Sequence, residues 1–90
     1  MKEYLVNKMK RIEGKWIYFD LLDTPNRKTQ IWQVMSKYGD FLGDIKWFNK
    51  WRSYAFFPEE ETIYEDDCLV EIADFIKKLM DERKKKGRSK

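Results

Sequence analysis

The sequence FLGDIKWFNKWRSYAFF, residues 41–57, decides the fold of this chain. In its first half, Ile45 and Trp47 alternate with the polar Lys46, which is the period-two pattern of a β-strand. The Asn-Lys pair in the middle predicts a turn. The second half, WRSYAFF, alternates again until Pro58 removes a donor from the hydrogen-bond ladder and ends the strand. The stretch therefore predicts an antiparallel β-hairpin.

Further strands are predicted on the N-terminal side of this hairpin. Residues 30–36 alternate in the same way and end at KYGD, where Gly39 can take the positive φ of a tight turn. The run WIYFDLL, residues 16–22, is typical of a strand that is buried on both faces. Gly43, inside the strand 41–48, indicates a bulge or a close approach of another backbone. Together these segments predict an antiparallel β-meander of three to four strands.

One amphipathic helix is predicted after the acidic connector that follows the meander. Asp66 or Asp67 is a good N-cap, and the basic residues towards the end match the helix dipole. An apolar stripe at helical spacing is formed by Leu69, Ile72, Ala73, Ile76, Leu79 and Met80. This stripe needs a partner, and the apolar face of the meander is the only large one available. The fold class is therefore predicted as α+β, with the sheet packed against one C-terminal helix.

The domain boundaries follow from changes in composition. Residues 15–82 are predicted to form a single α+β domain. Residues 1–14 place Leu5, Met9 and Ile12 at helical spacing among basic residues, which indicates a basic N-terminal arm or a short helix. Positions 83–90 hold six basic residues, no acids and no apolar anchor, so we expect a disordered basic tail there.

Composition excludes several classes of protein. The chain has 90 residues, enough for one domain, and its 17% aromatic content can fill a small core. Charged residues make up 39% of the chain, and no apolar run approaches the roughly 20 residues needed to cross a bilayer. The N-terminal residues lack the apolar stretch of a secretory signal. We therefore expect a cytoplasmic protein that does not insert into membranes.

The chain also lacks the usual chemical groups of a catalytic or metal site. It has no His and only one Cys, Cys68. The residues needed for the common zinc ligand sets, for a catalytic triad with His and for an internal disulfide are therefore absent from the sequence. Cys68 is interpreted as a small buried residue at the start of the helix. The acidic residues 59–61 and 65–67 are interpreted as a solvated connector and helix cap. We therefore expect no enzymatic activity, no metal and no cofactor.

Four segments of the chain resemble a group of small bacterial and phage proteins of unassigned function. The segments are KTQIWQV, LGDIKW, WRSYAFFPE and DCLVEIADFI, which lie between about residue 27 and residue 80. The chain departs from that group at Lys50, where the group tends to have Pro before the second Trp. The resemblance supports the domain boundary and the topology, and it implies no particular chemistry.

Basic and aromatic residues interleave across the predicted hairpin. If Trp47 faces the helix, the opposite face holds the basic and aromatic side chains, and the predicted binding residues are Lys46, Phe48, Lys50, Arg52 and Tyr54. Basic groups neutralise phosphates and exposed rings stack on bases, so this face predicts nucleic-acid binding.

Two other interpretations remain open. In the first, Trp47 and Trp51 are core residues, and Lys46 and Arg52 are ordinary solvated positions. In the second, the face belongs to a protein-interaction module, such as an inhibitor or adaptor from a phage or mobile element. Such a module would dock by the same face or dimerise by a sheet edge, as a monomer or homodimer.

Overall fold

The computed structural model describes residues 8–88, with side chains up to residue 85. Its elements are β1 (Lys8–Glu13), β2 (Ile17–Leu22), β3 (Ile31–Ser36), β4 (Phe41–Phe48), β5 (Ser53–Pro58) and α1 (Asp66–Arg88). The strands form one antiparallel sheet in the order β1-β2-β3-β4-β5, in which each strand pairs with the next. The predicted α+β meander with a closing helix is confirmed, with five strands where three to four were predicted.

The additional strand lies in the segment that was predicted to be an arm or a short helix. Lys8–Glu13 pairs with β2, with Arg11 opposite Asp20 and Ile12 opposite Phe19. Ile12 packs against the core, whereas Met9 is exposed, so the helical spacing of these residues does not describe one buried face. The helix prediction is therefore wrong for residues 8–13, and residues 1–7 lie outside the described part of the chain.

The hydrophobic core lies between one face of the sheet and α1. Its buried side chains are Ile17, Phe19, Trp32, Val34, Ile45 and Tyr54 from the sheet, and Ile72, Phe75 and Leu79 from the helix. The ring of Phe75 stacks on Phe19 with centroids 4.0 Å apart and meets Trp32 edge to face at 4.9 Å. This aromatic contact holds the middle of the helix against β2 and β3.

The helix differs from the prediction in its buried stripe and in its end. Leu69 and Ala73 were predicted on the buried stripe but are exposed. The buried residues of the helix are Phe75 and the residues about one turn before and after it, Ile72 and Leu79. The helix also continues to Arg88, through positions that were predicted to be a disordered tail from residue 83. Arg83 contacts the sheet, since its guanidinium carbon lies 4.2 Å from the ring centroid of Trp47.

Glu71 fixes α1 against the turn between β1 and β2. Its Oε2 accepts hydrogen bonds from the backbone N–H groups of Lys15, at 3.1 Å, and Trp16, at 3.0 Å. Gly14 lies so close that a Cβ at this position would be 2.3 Å from Oε1 of Glu71. The helix and this turn are therefore held together by a charged group and by close packing.

Two glycines act as the sequence predicts. Gly39 has a φ of 92° in the β3–β4 turn, where its N–H donates to the carbonyl of Ser36. Gly43 has a φ of 152°, and the β3–β4 register shifts beside it, between Val34 and Met35. A Cβ on Gly43 would lie 2.4 Å from the carbonyl oxygen of Phe57. Both the bulge and the close backbone approach are confirmed.

In the part of the chain that the structure describes, no helix combines the length and apolar character needed to span a membrane.

Candidate nucleic-acid interface

The sheet has one face covered by α1 and a second face opposite it, which we call the open face. Trp47 pairs directly with Tyr54 across β4 and β5, so both side chains lie on the covered face. The next pairs along the same strands, Lys46 with Ala55 and Phe48 with Ser53, lie on the open face. The prediction that the open face carries Lys46 and Phe48 when Trp47 faces the helix is confirmed.

Three aromatic rings and one lysine meet on the open face where β4 and β5 join. Phe48 packs edge to face against Trp51, with centroids 4.9 Å apart, and against Phe57, at 5.9 Å. The Lys46 Nζ lies 4.7 Å from the ring centroid of Phe57. We call these four residues the β4–β5 cluster. It combines a cation with aromatic rings that meet edge to face at one end of the sheet.

The loop of residues 49–52 presents the most exposed part of this cluster. The N–H of Trp51 donates to the carbonyl of Phe48, and the N–H of Arg52 donates to that of Asn49, both at 3.2 Å. Arg52 then takes a φ of 52° to lead the chain back into β5. This geometry leaves Trp51 73% exposed, between the exposed side chains of Lys50 and Arg52.

Tyr54 is the predicted binding residue that the structure places elsewhere. It is only 6% exposed, packs edge to face against Trp47 with centroids 5.3 Å apart, and belongs to the core. The prediction placed it on the open face by continuing the alternation back to Arg52. That is wrong because Tyr54 pairs directly with Trp47 and therefore shares its face, whereas Arg52 lies in the loop before β5 with a positive φ.

Two members of the β4–β5 cluster were missed by the sequence reasoning. Trp51 was considered in the interleaved basic and aromatic group, with a core position as the alternative, but it was left out of the predicted binding residues. Phe57 was assigned to the face opposite Tyr54 without a role. The signal for Phe57 was the pairing of the hairpin, since a connection of two or of four residues places Phe57 on the same face as Phe48, and in the structure it lies opposite Asp44. Trp51 lies outside both strands because the loop has four residues and sets Phe48 opposite Ser53.

A buried carboxylate, Asp20 of β2, lies on the open face near the β1 edge of the sheet. Asp20 is only 1% exposed. Its carboxylate accepts two hydrogen bonds from Arg11, one from Nε at 2.7 Å and one from Nη2 at 3.2 Å. The Nζ of Lys8 lies 3.1 Å from the same carboxylate. Burial acts to raise the pKa of Asp20, but the hydrogen bonds and charges of Arg11 and Lys8 outweigh it and lower that pKa. The guanidinium of Arg11 also lies 4.0 Å from the ring centroid of Tyr18.

The charge of this carboxylate does not oppose the binding of phosphates near it, because two cations accompany it. Asp44, two residues before Lys46 on the open face, is a second, half-buried carboxylate. The exposed cations Lys50 and Arg52 lie in the loop beyond it. The positive charge available to a ligand is therefore concentrated at the loop end of the β4–β5 cluster.

Cys68 and the acidic residues form no reactive or metal-binding group in the described part of the chain. Burial, followed by the nearby charge of Glu65, raises the pKa of the Cys68 thiol. The thiol is therefore protonated at neutral pH and acts as a small packing residue, as predicted. Among the residues that the structure describes, no three acidic or thiol side chains converge in a way that could hold a metal ion.

Comparison with known proteins links the chain to a phage. It is 34% identical, over 71 residues, to an uncharacterised 9.3 kDa protein of Acholeplasma phage L2, and the match covers 78% of this chain and 91% of the phage protein. The chain belongs to the family of this phage protein. No family profile and no solved structure matches the chain. The family membership agrees with the resemblance to small phage proteins seen in the sequence.

Proposed function

We propose that this protein is a small non-enzymatic accessory protein that binds single-stranded nucleic acid at the β4–β5 cluster. The observation that carries the proposal is the position of Trp51, which is 73% exposed and lies between two exposed basic residues. A large apolar ring in this setting is accessible to a ligand. The proposal places the protein in the cytoplasm, as a monomer or a homodimer.

Stacking on an unpaired base is the interaction that this ring supports. Phe48 holds Trp51 through an edge-to-face contact, so the ring is supported from one side. Base stacking on an aromatic side chain contributes about 1–3 kcal/mol and does not depend strongly on sequence. Bases in a duplex are already stacked on each other, so an exposed Trp favours a single strand.

The cations around the cluster supply the attraction to phosphates. Lys50 and Arg52 flank Trp51 in the loop, and Lys46 lies beside Phe57 on the open face. A single strand that stacks on Trp51 would run past these groups, and each neutralised phosphate releases bound counterions. The chain carries a formal net charge of +3, which is consistent with weak, salt-sensitive binding.

The open face also supports a second candidate, a protein-docking module. Met35 and Phe41 are half-buried apolar residues that pair with each other on the open face beside the β3–β4 turn, and Ile31 is a half-buried apolar residue opposite Lys46. Aromatic and apolar side chains of this kind are common in the centre of protein interfaces. This candidate would use the end of the open face at the β3–β4 turn, whereas nucleic-acid binding would use the β4–β5 loop end.

Polarisation of labelled oligonucleotides tests the proposal. Single-stranded and double-stranded oligonucleotides are titrated with the protein at low and moderate salt. We expect tighter binding of the single strand, a loss of affinity with salt, and a loss of about fivefold or more in Trp51→Ala. The matched control is Tyr38→Ala, because Tyr38 is 93% exposed in the opposite turn and also follows a lysine.

Two results would overturn the proposal. If Tyr38→Ala reduced the affinity as much as Trp51→Ala, binding would not involve stacking at the β4–β5 cluster. If neither oligonucleotide bound at low salt, the protein-docking module would become the better candidate. The Met35→Ser and Phe41→Ser variants would then show whether binding of a protein partner is lost without a loss of folding stability.

A further inference from the structure

A small cavity lies on the covered side of the sheet, between the chain that enters β3 and the second half of α1. Its volume is about 180 Å³, and it is lined by Lys28, Gln30, Tyr54, Leu79, Glu82 and Arg83. This is smaller than the roughly 300–1,000 Å³ of pockets that hold drug-sized ligands. The cavity therefore suits a small ion or a single group of a larger ligand.

Tyr54 supplies a buried hydrogen-bond donor at this cavity. Its hydroxyl accepts a hydrogen bond from the backbone N–H of Gln30 at 3.0 Å, and both residues line the cavity. A tyrosine hydroxyl can donate one hydrogen bond in addition to accepting. No residue in the described part of the chain accepts the proton of this hydroxyl, although the side chain is only 6% exposed. The proton is available to a ligand.

Two cations lie at the same cavity. Among the described residues, neither Lys28 nor Arg83 has a carboxylate within 4.0 Å. The guanidinium of Arg83 rests on the ring of Trp47, with 4.2 Å between its central carbon and the ring centroid. A cation–π contact of this kind uses none of the guanidinium N–H groups as hydrogen-bond donors to an oxygen. Arg83 is therefore held in place with its donors unused.

We infer that this cavity is a phosphate-binding subsite formed by Lys28, Arg83 and the hydroxyl of Tyr54. A tetrahedral anion accepts several charge-assisted hydrogen bonds, and a fixed guanidinium binds it in a bidentate manner. Glu82 also lines the cavity, and its negative charge opposes an anion. Because Glu82 is exposed, solvent and salt screen its charge.

The cavity and the β4–β5 cluster lie at the same end of the sheet on opposite faces. Trp47 and Tyr54 are paired beside the loop, and Trp51 lies within that loop. The phosphate could belong to a nucleic-acid strand that passes over the loop after stacking on Trp51, or to a free phosphate anion. The first source rests on the proposed function, whereas the subsite itself does not.

Titration with inorganic phosphate, followed by amide NMR shifts at constant ionic strength, tests the subsite. We expect saturable shifts at Gln30, whose N–H donates to the Tyr54 hydroxyl, and none with the same concentration of chloride. Lys28→Gln should weaken phosphate binding by about tenfold, because a hydrogen bond to a charged group is lost. Glu82→Gln should strengthen it.

The matched control is Lys77→Gln, which removes one positive charge from an exposed position on α1 that does not line the cavity. It should leave phosphate binding within about twofold of the original protein, since exposed charges are screened by salt. Shifts that do not saturate, or equal losses in Lys28→Gln and Lys77→Gln, would overturn the subsite. Tyr54→Phe gives a second check, because it keeps the ring and removes only the hydroxyl.

Competition then identifies the source of the phosphate. If a single-stranded oligonucleotide displaces inorganic phosphate from the cavity, and Lys28→Gln also weakens oligonucleotide binding, the strand supplies the phosphate. If phosphate binds and the oligonucleotide does not displace it, the subsite holds a free anion. Failure of Trp51→Ala to affect oligonucleotides would overturn the proposed function alone, whereas absence of phosphate binding would overturn the subsite alone.

Discussion

The rings of Trp47 and Tyr54 meet edge to face on the covered side of the sheet, with centroids 5.3 Å apart and an interplanar angle of 84°. Both side chains lie under the second half of α1, where the N–H of Tyr54 donates to Sδ of Met80 at 3.5 Å and Arg83 rests on Trp47. This pair determines which side of the β4–β5 hairpin is core. The rings on the other side, led by Trp51, are therefore the ones that a ligand can reach.

Tyr54→Ala is expected to destabilise the fold. Loss of a buried aromatic ring costs about 3–5 kcal/mol in unfolding free energy, which is a large part of the stability of a small domain. Tyr54→Phe should cost only about 1–2 kcal/mol, since it leaves the N–H of Gln30 without its acceptor but keeps the packing. Urea unfolding followed by circular dichroism measures both. A Tyr54→Ala protein as stable as the original would show that this ring is not core.

The buried carboxylate of Asp20 predicts a loss of stability in acid. Its pKa in the folded protein is below the ordinary value of 3.8, so the ionised form is favoured by folding. The stabilisation is complete above pH 3.8 and is lost as the pH falls below that value, through the lowered pKa of the folded state. Because Arg11 and Lys8 are about half exposed, solvent reduces the contribution of both ion pairs.

Asp20→Asn separates this carboxylate from the other acids. At pH 7 the variant should be less stable by about 1–3 kcal/mol, because the charged acceptor of Arg11 is lost. The difference in unfolding free energy between the two proteins should shrink as the pH falls below 3.8. Urea unfolding at pH 7 and near pH 2.5 measures it. A difference that stayed constant would mean that Asp20 does not carry the pH dependence.

Gly43 and Gly39 form a matched pair for backbone strain. Both have a positive φ, 152° and 92°, so alanine is unfavourable at each position. Only Gly43 is also crowded, since a Cβ there would lie 2.4 Å from the Phe57 carbonyl oxygen, whereas nothing lies within 4 Å of a Cβ on Gly39. Gly39→Ala should cost about 1 kcal/mol and Gly43→Ala clearly more. Thermal unfolding that showed equal losses would contradict this account of the bulge.

The sequence predicted β3, β4 and β5 well because their side chains alternate, and it predicted β2 from its compact run of aromatic and branched residues. It predicted the turn at Gly39 and the bulge at Gly43 for a related reason, since only glycine fits those backbone conformations without strain. It did not predict β1, because an edge strand that is exposed over most of its length lacks an apolar pattern. Its pairing depends on Arg11 reaching Asp20, a contact between residues nine positions apart.

The candidate site was predicted only in part because the face of each β5 residue depends on its pairing with β4. Lys46 and Phe48 were placed correctly from β4, in which the alternation is regular. Tyr54 was assigned to the face of Lys46 together with Arg52, but it pairs with Trp47 and lies in the core, and Trp51 lies in the loop, where it is 73% exposed. The positive φ of an arginine has no clear signal in a single sequence, because this conformation is uncommon for residues other than glycine.

The basic end of α1 and the β4–β5 loop make separable contributions to nucleic-acid binding. Truncation after Lys78 would not separate them, because it removes Leu79 from the core. We instead compare two double variants. The loop double variant carries Lys50→Gln and Arg52→Gln, and the helix double variant carries Lys84→Gln and Lys85→Gln. Each phosphate contact to a single strand contributes about 0.7 to the slope of log affinity against log salt.

The loop double variant should therefore lower the magnitude of this slope by about 1.4 if both cations contact phosphates. The helix double variant should change the slope less, because neither of its residues belongs to the β4–β5 cluster or to its loop. Both changes involve exposed residues, so neither should lower the midpoint of thermal unfolding by much. If the helix variant alone abolished binding while the loop variant left the slope unchanged, the β4–β5 cluster would not be the binding site.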